Sequence, residues 1–196
     1  MKIVLASASP RRAEILRNAA IAFETQITLL DESILPGELP GDYVRRLAQE
    51  KARAAAQARK DSSEYLFIGA DTAVVAANQI LGKPESDEDA RRMLRLLSGA
   101  THEVHTGLAI LSPRDKIERV AEEITRVSFA PLSEDEINAY LATGEPFDKA
   151  GGYGIQGVAG RYVTRIEGCY FNVMGLPLAR LWSLLQEFGW EDSTNA

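Results

Sequence analysis

The stretch YLFIGADTAVVA, Tyr65 to Ala76, decides the fold of this chain. It is almost continuously apolar, which predicts a strand buried on both faces in the middle of a sheet. One acidic residue, Asp71, interrupts the run. A buried carboxylate is costly, so it must be ion-paired, hydrogen-bonded, bound to a metal or placed at a functional edge of the sheet. Asp71 is therefore a site candidate, and the alternative is a turn-forming Asp after Gly69.

Short apolar strands and amphipathic helices alternate on both sides of that stretch. The segments expected before it are a strand over 2–6, a helix ending at Asn18, and a helix Tyr43–Lys60 with Asp42 as N-cap. The segments expected after it are a turn at 78–84, a helix from Ser86 to Leu97 with Asp89 in capping-box spacing, strands over 101–111 and 117–130, and a helix capped by Ser133 and Glu136 that ends at Gly144. At the end we expect YVTRI and CYFNV to form a hairpin around Glu167-Gly168, followed by a helix from Pro177 to Gly189.

The composition is that of an ordinary globular protein and argues against several functions. The 196 residues include 22 Lys and Arg against 28 Asp and Glu, a net charge of −6, which disfavours a nucleic-acid partner but leaves room for a small anion in a local basic pocket. The single Cys169, with His102 and His105, allows neither an internal disulfide nor a Cys/His zinc site. We expect these histidines to pack or to face solvent rather than to catalyse, although His105 is able to hydrogen-bond a substrate.

Targeting signals and internal boundaries are missing from the sequence. No run approaches the ~20 apolar residues of a membrane span, and the stretch MKIVLASASPRR becomes basic too early for a signal peptide. No linker, repeat or low-complexity tract divides the chain. We therefore expect one domain over residues 1–196, located in the cytoplasm and not associated with a membrane.

The loop SASPRR, Ser7 to Arg12, follows the first predicted strand and leads into the first helix. It places Arg11 and Arg12 in the first helical turn, where the helix dipole disfavours cations by ~0.3–1 kcal/mol. A bound anion would reverse that effect, because free backbone N–H groups, hydroxyls and two guanidinium groups make a phosphate-sized site. The alternative is a solvated pair of arginines on the helix surface.

Three lysines and an acidic pair are further candidates for a phosphate or metal site. Lys51 follows Val44 by seven residues and Leu47 by four, so it shares their apolar helix face and must either snorkel to water or reach a carboxylate or phosphate. The other two, Lys83 and Lys149, lie beside glycines but have the alternative of simple solvation. Asp31 and Glu32 offer oxygen ligands for Mg²⁺, with an acidic loop as the alternative.

Six motifs together resemble a known family. SASPRR, IGADT, LGKP, LSG followed by HEVHTG, DKAGGYGIQG and NVMGLPL occur in the order and spacing of the Maf family of nucleoside triphosphate pyrophosphatases. The resemblance covers almost the whole chain. It implies a mixed α/β fold like that of inosine triphosphate pyrophosphatases, with an elongated sheet and flanking helices in two lobes around a nucleotide cleft. It also implies a cytoplasmic enzyme that uses Mg²⁺ or Mn²⁺ and is able to form homodimers.

The resemblance also implies roles for individual residues. Asp71 would accept the proton of the attacking water and, with Glu32, lie near the metal. The residues implied around the triphosphate are Ser7, Arg11, Arg12, Lys51 and Lys83.

The branch of the family is implied by Arg11, Thr72 and Gln156, a pattern similar to that of the enzymes acting on dTTP and UTP; a sister branch acting on 7-methyl-GTP has Trp, Gln and Glu there. In a regular strand Thr72 and Asp71 point to opposite faces, so a shared role needs a bulge or a strand end near Thr72. The alternative function is a nucleotide-binding regulator of septum formation and cell division.

Overall fold

The structure is a computed structural model that describes residues 1–191. Strands and helices alternate through most of the chain. In chain order they are β1 Lys2–Ala6, α1 Pro10–Asn18, β2 Glu24–Thr25, α2 Pro40–Gln57, β3 Tyr65–Ala76, β4 Gln79–Leu81, α3 Asp87–Leu97, β5 Thr101–Ser112, β6 Ile117–Phe129, α4 Glu134–Leu141, β7 Val163–Glu167, α5 Tyr170–Met174 and α6 Leu178–Glu187. Short 3₁₀ turns occupy Ser62–Glu64, Glu145–Asp148, Ala150–Gly152 and Val158–Tyr162.

The strands form one seven-stranded sheet with the order β2-β1-β3-β5-β6-β7, and β4 pairs with the far end of β3. β1 is parallel to both β2 and β3, whereas β4 is antiparallel to β3 and β7 is antiparallel to β6. Strand β3 lies inside the sheet and is buried along most of its length. The expected mixed α/β fold, with the Tyr65–Ala76 stretch at the centre of a sheet, is confirmed.

The chain divides into two compact units, each with its own apolar core. The first consists of Met1–Asp71, Thr106–Glu123 and residues 175–191, and its core joins β1, α2 and β3. The second consists of Thr72–His105 and Ile124–Met174, and its core joins α3, α4 and the glycine-rich stretch, residues 151–160. Within residues 1–191, no helix combines the length and the apolar character that a bilayer crossing requires.

Helix α2 packs against its strands through two glycines of the first unit. A Cβ on Gly69 in β3 would collide with the carbonyl oxygen of Ala48, and one on Gly107 in β5 would collide with that of Val44. The helix backbone therefore lies directly on the sheet, closer than any side chain would permit. This close approach fixes which face of α2 meets β3.

The predicted bounds of α2, of α4, which ends at Leu141 rather than at Gly144, and of the turn at 78–84 differ from the structure. Helix α2 begins at Pro40 rather than after Asp42, because proline at the first helical position fits its fixed φ and needs no N–H. Asp42 instead lies in the first turn, where its carboxylate pairs with Arg45 at 2.6 Å, and the helix ends at Gln57. The expected turn at 78–84 contains β4, because Ala77 and Asn78 adopt φ values of 47° and 60° and reverse the chain tightly.

The predicted hairpin of YVTRI with CYFNV is wrong in its second half. YVTRI forms β7 but pairs with β6, and CYFNV forms the short helix α5. The reason is a set of hydrogen bonds that a strand would break. Asn172 Nδ2 donates to the Val104 carbonyl at 3.0 Å and to Thr125 Oγ1 at 2.9 Å, and the Cys169 N–H donates to the same Thr125 oxygen at 3.0 Å. These contacts override the strand propensity of the aromatic and β-branched residues.

Candidate active site

The loop after β1 and the middle of β3 lie at the same place along the sheet. The parallel register pairs Ala6 with Gly69, so Ser7 follows the end of β1 beside the residues that lead to Asp71. β1 ends there, whereas β3 continues. The loop therefore begins at the carboxyl end of β1, and α/β proteins commonly bind ligands at the carboxyl ends of their strands. Ser7 is buried, and its Oγ accepts from the Ser9 N–H at 3.1 Å.

Arg12 is buried in the first turn of α1 and is only 8% exposed. Its Nε donates to the Gly175 carbonyl at 2.7 Å and its Nη1 donates to Ser7 Oγ at 3.1 Å. Burial lowers the pKa of Arg12, and the negative charges of Asp71 and Glu32 oppose that shift. A solvated surface arginine is therefore excluded at this position, whereas Arg11 beside it is half-buried.

Lys51 lies between two carboxylates. Its Nζ is 2.6 Å from Asp71 Oδ1 and 2.6 Å from Glu32 Oε1. The Lys51 and Asp71 side chains are only 10% and 11% exposed, whereas Glu32 is 45% exposed. Of the alternatives left open by the sequence, Lys51 reaches carboxylates rather than snorkelling to water. Helix α2 makes this possible because its close contact at Gly69 places Lys51 over the strand two residues before Asp71.

Tyr43 belongs to the same cluster, although it is not among the residues that the sequence predicts for the site. Its hydroxyl donates to the Glu32 carbonyl at 3.0 Å, which ties the loop before α2 to the helix. Burial, together with the charges of Asp71 and Glu32, raises the pKa of Tyr43 to about 12. The tyrosine therefore stays protonated at neutral pH and remains a donor. The signal was indirect, since Tyr43 stands eight residues before Lys51, about two helical turns away on the same helix face.

The oxygens of Glu32 and Asp71 suit a hard divalent cation. Both lie at the same distance from one ammonium, so they converge on one small volume that already accommodates positive charge. Carboxylates in such numbers, completed by substrate phosphates, are the usual ligands of Mg²⁺. Within residues 1–191 no group of three or more His, Cys, Asp or Glu side chains forms a protein-only metal cage. Asp31, the other candidate, instead accepts from the Ser33 N–H at 2.9 Å.

The remaining predicted site residues belong to the second unit. Lys83 and Gln156 are exposed, and Thr72 is half-buried in β3. Strand β3 runs on to Ala76, so it does not end near Thr72. The segments that contain Lys83 and Gln156 are neighbours, because the Gly151 N–H donates to the Gly82 carbonyl at 2.9 Å.

Both histidines are buried, so the option of solvent-facing rings is wrong and packing in a strand is confirmed. His102 is 2% exposed, and its Nε2 lies 2.7 Å from the hydroxyl of Tyr153 in the glycine-rich stretch. His105 Nε2 lies 3.2 Å from Glu103 Oε2. The His102–Tyr153 contact spans 51 residues and has no local sequence signal.

The fold falls in a class that is represented among solved structures. It resembles the structure of the Staphylococcus aureus Ham1 protein with a TM-score of 0.54 and 15% sequence identity, over 95% of this chain and 99% of that one. At this identity the likeness concerns the fold alone. It agrees with the expected sheet with flanking helices.

The sequence narrows that class to one family. Residues 2–188 match the family described as Maf-like protein, and the chain belongs to that family. A Koribacter versatilis protein named dTTP/UTP pyrophosphatase is 50% identical over 96% of this chain and 95% of its own length. A Hahella chejuensis protein of the same name is 48% identical over 97% of this chain and 96% of its own length.

Proposed function

We propose that this protein hydrolyses dTTP and UTP between the α and β phosphates, giving the nucleoside monophosphate and pyrophosphate. The relatives that bear this activity in their names match the chain along nearly its full length at about half identity. The observation that supports the chemistry is the buried cluster of the first unit, where Lys51 joins Asp71 and Glu32. Buried ion pairs contribute little net stability because charge is costly to bury, so this cluster is a candidate for a functional rather than a purely structural role.

The phosphate-binding groups that we propose are Ser7, Arg11, Arg12, Lys51 and Lys83. Arg12 is held in place by Gly175 and Ser7, so its guanidinium group is already oriented and would bind an anion with little loss of side-chain entropy. The position of Arg11 and Arg12 at a helix N-terminus adds the backbone dipole to their charge. Pre-oriented positive charge of this kind stabilises the negative charge that develops during phosphoryl transfer.

Asp71 is the proposed proton acceptor. Its Oδ1 is fixed by Lys51 at 2.6 Å, and its position in β3 leaves it little freedom to move. The attacking water gives one proton to the Asp71 carboxylate while the water oxygen forms a bond to the α phosphorus. The anhydride bond between the α and β phosphates breaks, and pyrophosphate leaves. Lys51 then balances charge on either side of the reaction, paired with Asp71 before substrate binds and with a phosphate oxygen afterwards.

A divalent cation, Mg²⁺ or Mn²⁺, would be held by Glu32 and Asp71 and would neutralise phosphate charge when bound. The exposure of Glu32 suits this role, because a ligand on a surface loop is able to exchange Lys51 for another cation.

Base choice is proposed for Gln156, with Arg11 and Thr72. An amide offers one acceptor and one donor, as the N3–H and O4 of uracil and thymine require.

The decisive experiment is a panel of nucleoside triphosphates with Mg²⁺, assayed separately for pyrophosphate and orthophosphate. We expect pyrophosphate from dTTP and UTP with little turnover of the purine nucleotides. Release of orthophosphate alone would refute the proposed bond, and equal turnover of all bases would refute the proposed substrate.

The resemblance also leads us to propose a cytoplasmic location and a homodimer. Sedimentation equilibrium measures the second directly, and a mass near that of one chain at micromolar concentration would contradict it.

A further inference from the structure

The second unit buries a polar pair in an aromatic cluster. His102 on β5 and Tyr153 in the glycine-rich stretch are 2% and 5% exposed, and their Nε2 and hydroxyl oxygen are 2.7 Å apart. Phe129 meets both rings edge to face, with centroid distances of 5.2 Å to His102 and 4.8 Å to Tyr153. Edge-to-face contacts fix ring orientation as well as position, so the hydrogen bond has little freedom to bend.

Both members of this pair are neutral. Burial lowers the pKa of His102 to about 4 and raises the pKa of Tyr153. A neutral imidazole has one donor nitrogen and one acceptor nitrogen. In the described part of the chain, His102 Nδ1 is buried without a hydrogen-bond partner, so Tyr153 is the group that satisfies this ring. A polar pair kept in an apolar core at such cost favours one conformation over others that separate it.

Tyr153 lies where the glycine-rich stretch is packed most tightly. Residues 151–155 are all buried, and Gln156 is exposed directly after them. Gly151 has φ 68°, and a Cβ there would lie 2.9 Å from Val74, so this backbone rests against β3. Tyr153 thus anchors this segment three residues before Gln156, whose side chain is exposed to solvent.

A second contact lies beside Gln156 itself. The Lys149 Cε and the Gln156 Nε2 are 2.8 Å and 3.4 Å from the point where a Cβ on Gly154 would stand. Lys149 Nζ donates to the Glu145 carbonyl at 2.6 Å, so its stem is fixed at the far end. The Lys149 stem and the Gln156 amide therefore both lie over Gly154, so the position of the amide depends on the backbone conformation between Tyr153 and Gln156.

We propose that His102 is a positioning residue for base recognition, which fixes the segment 151–156 through Tyr153 and thereby the orientation of the Gln156 amide. This inference rests on the proposed function, in which Gln156 contacts the base. Orientation matters because uracil presents an N–H donor and a carbonyl, whereas cytosine presents the reverse pattern of an acceptor nitrogen and an amino group. An amide fixed in one orientation distinguishes the two, and an amide free to turn over accepts both.

The test compares kcat/KM for UTP with kcat/KM for CTP in five forms of the protein. Tyr153→Phe removes one hydroxyl and keeps the ring, His102→Leu removes the imidazole, and His102→Gln retains a polar atom that reaches the position of Nε2. Tyr162→Phe is the matched control, because Tyr162 belongs to the same cluster but its hydroxyl donates to the Glu136 carbonyl at 3.3 Å. Wild type completes the set.

We expect the UTP:CTP ratio to fall about 5-fold or more in Tyr153→Phe and in His102→Leu, to recover in His102→Gln, and to stay at the wild-type value in Tyr162→Phe. A merely structural role lowers the folded fraction and reduces turnover of both nucleotides equally. An unchanged ratio in Tyr153→Phe and His102→Leu would therefore overturn the inference. If His102→Leu does not fold, Tyr153→Phe and His102→Gln still decide the question.

Gln156→Glu separates this inference from the proposed function. If that variant lowers the ratio while Tyr153→Phe leaves it unchanged, Gln156 contacts the base but His102 does not position it, and the inference alone fails. If wild type does not prefer UTP, or if Gln156→Glu leaves the ratio unchanged, base reading by Gln156 fails and this inference fails with it.

Discussion

The two compact units bury polar side chains in opposite ways. The first buries charge, since Lys51 and Asp71 lie out of solvent beside the buried Arg12. The second buries neutral groups, since His102 and Tyr153 share one hydrogen bond among aromatic rings. Charge suits a site that must bind phosphates and move a proton, whereas a neutral rigid pair suits a site that must hold one orientation. Removing a member of the charged cluster should therefore affect turnover and binding, whereas removing a member of the neutral pair should affect base preference.

Asp71→Asn should have the largest effect. We expect turnover to fall by at least ~10²-fold with nucleotide binding largely kept, because the amide accepts no proton from water but leaves the phosphate contacts intact. The free energy of unfolding should also fall by about 1–3 kcal/mol, the cost of a buried group that loses one hydrogen-bond partner, because Lys51 loses the Asp71 charge but retains Glu32. Steady-state kinetics and urea unfolding measure the two effects. Asp42→Asn, exposed at the start of α2, is the control, and full turnover in folded Asp71→Asn would remove Asp71 from the mechanism.

Arg12→Ala tests the second buried charge of the first unit. Loss of a guanidinium that contacts phosphate should raise KM roughly 10- to 150-fold, the value of a charged hydrogen bond of about 1.5–3 kcal/mol. Stability should fall as well, because the Gly175 carbonyl and the Ser7 hydroxyl lose their donor. Arg17→Ala, exposed in the last turn of the same helix, should change neither quantity. An unchanged KM would leave Arg12 with a purely structural role.

Gln156→Glu tests the base choice that we propose for the second unit. An ionised carboxylate only accepts hydrogen bonds, so the uracil O4 loses its donor while the cytosine amino group gains an acceptor. We expect the UTP:CTP ratio of kcat/KM to fall ~5- to 150-fold, which corresponds to about 1–3 kcal/mol. Gln57→Glu, an exposed site at the end of α2, controls for the added charge. Equal loss on both nucleotides would mean that Gln156 shapes the loop rather than reading the base.

His102 should make stability depend on pH in a defined window. Its pKa is about 4 in the folded protein and 6.5 in the unperturbed group. Between these pH values His102 is protonated in the unfolded chain but stays neutral in the folded protein. The contribution of His102 to the free energy of unfolding is therefore fully present above pH 6.5 and is lost as the pH falls towards 4. The loss between pH 7 and pH 5 is about 2 kcal/mol. His102→Gln should lose this component. Urea unfolding at the two pH values measures it, and an identical pH dependence in both proteins would contradict a neutral His102.

The sequence was most informative where a residue contradicted its surroundings. Asp71 inside an apolar strand and Lys51 on an apolar helix face were both identified as anomalies, and the structure joins them at 2.6 Å. Part of the fold followed from similar patterns, since the central strand and the helices capped by Ser86 and Ser133 are present where the local pattern placed them. These features depend on local chemistry, which a single sequence contains in full.

Contacts between distant segments could not be predicted. Arg12 and Gly175 are 163 positions apart, and the periodicity of α1 does not reveal that this arginine donates to a carbonyl near the end of the chain. The strand predicted for CYFNV failed for the same reason, because Asn172 binds Val104 and Thr125 on other strands. Local sequence patterns predict most of the elements, and hydrogen bonds between distant segments determine the exceptions.

The contact of α2 with Gly69 and Gly107 determines where the chain tolerates a change of length. The segment between β2 and α2 lies largely in solvent. Residues added or removed there would change the position of Glu32 but not the packing of α2 against the sheet. One residue inserted between Val44 and Lys51 would instead rotate everything beyond it by ~100° and turn the lysine away from the sheet. Insertions and deletions in natural and engineered variants should accordingly accumulate in the loop and be absent from that stretch of helix.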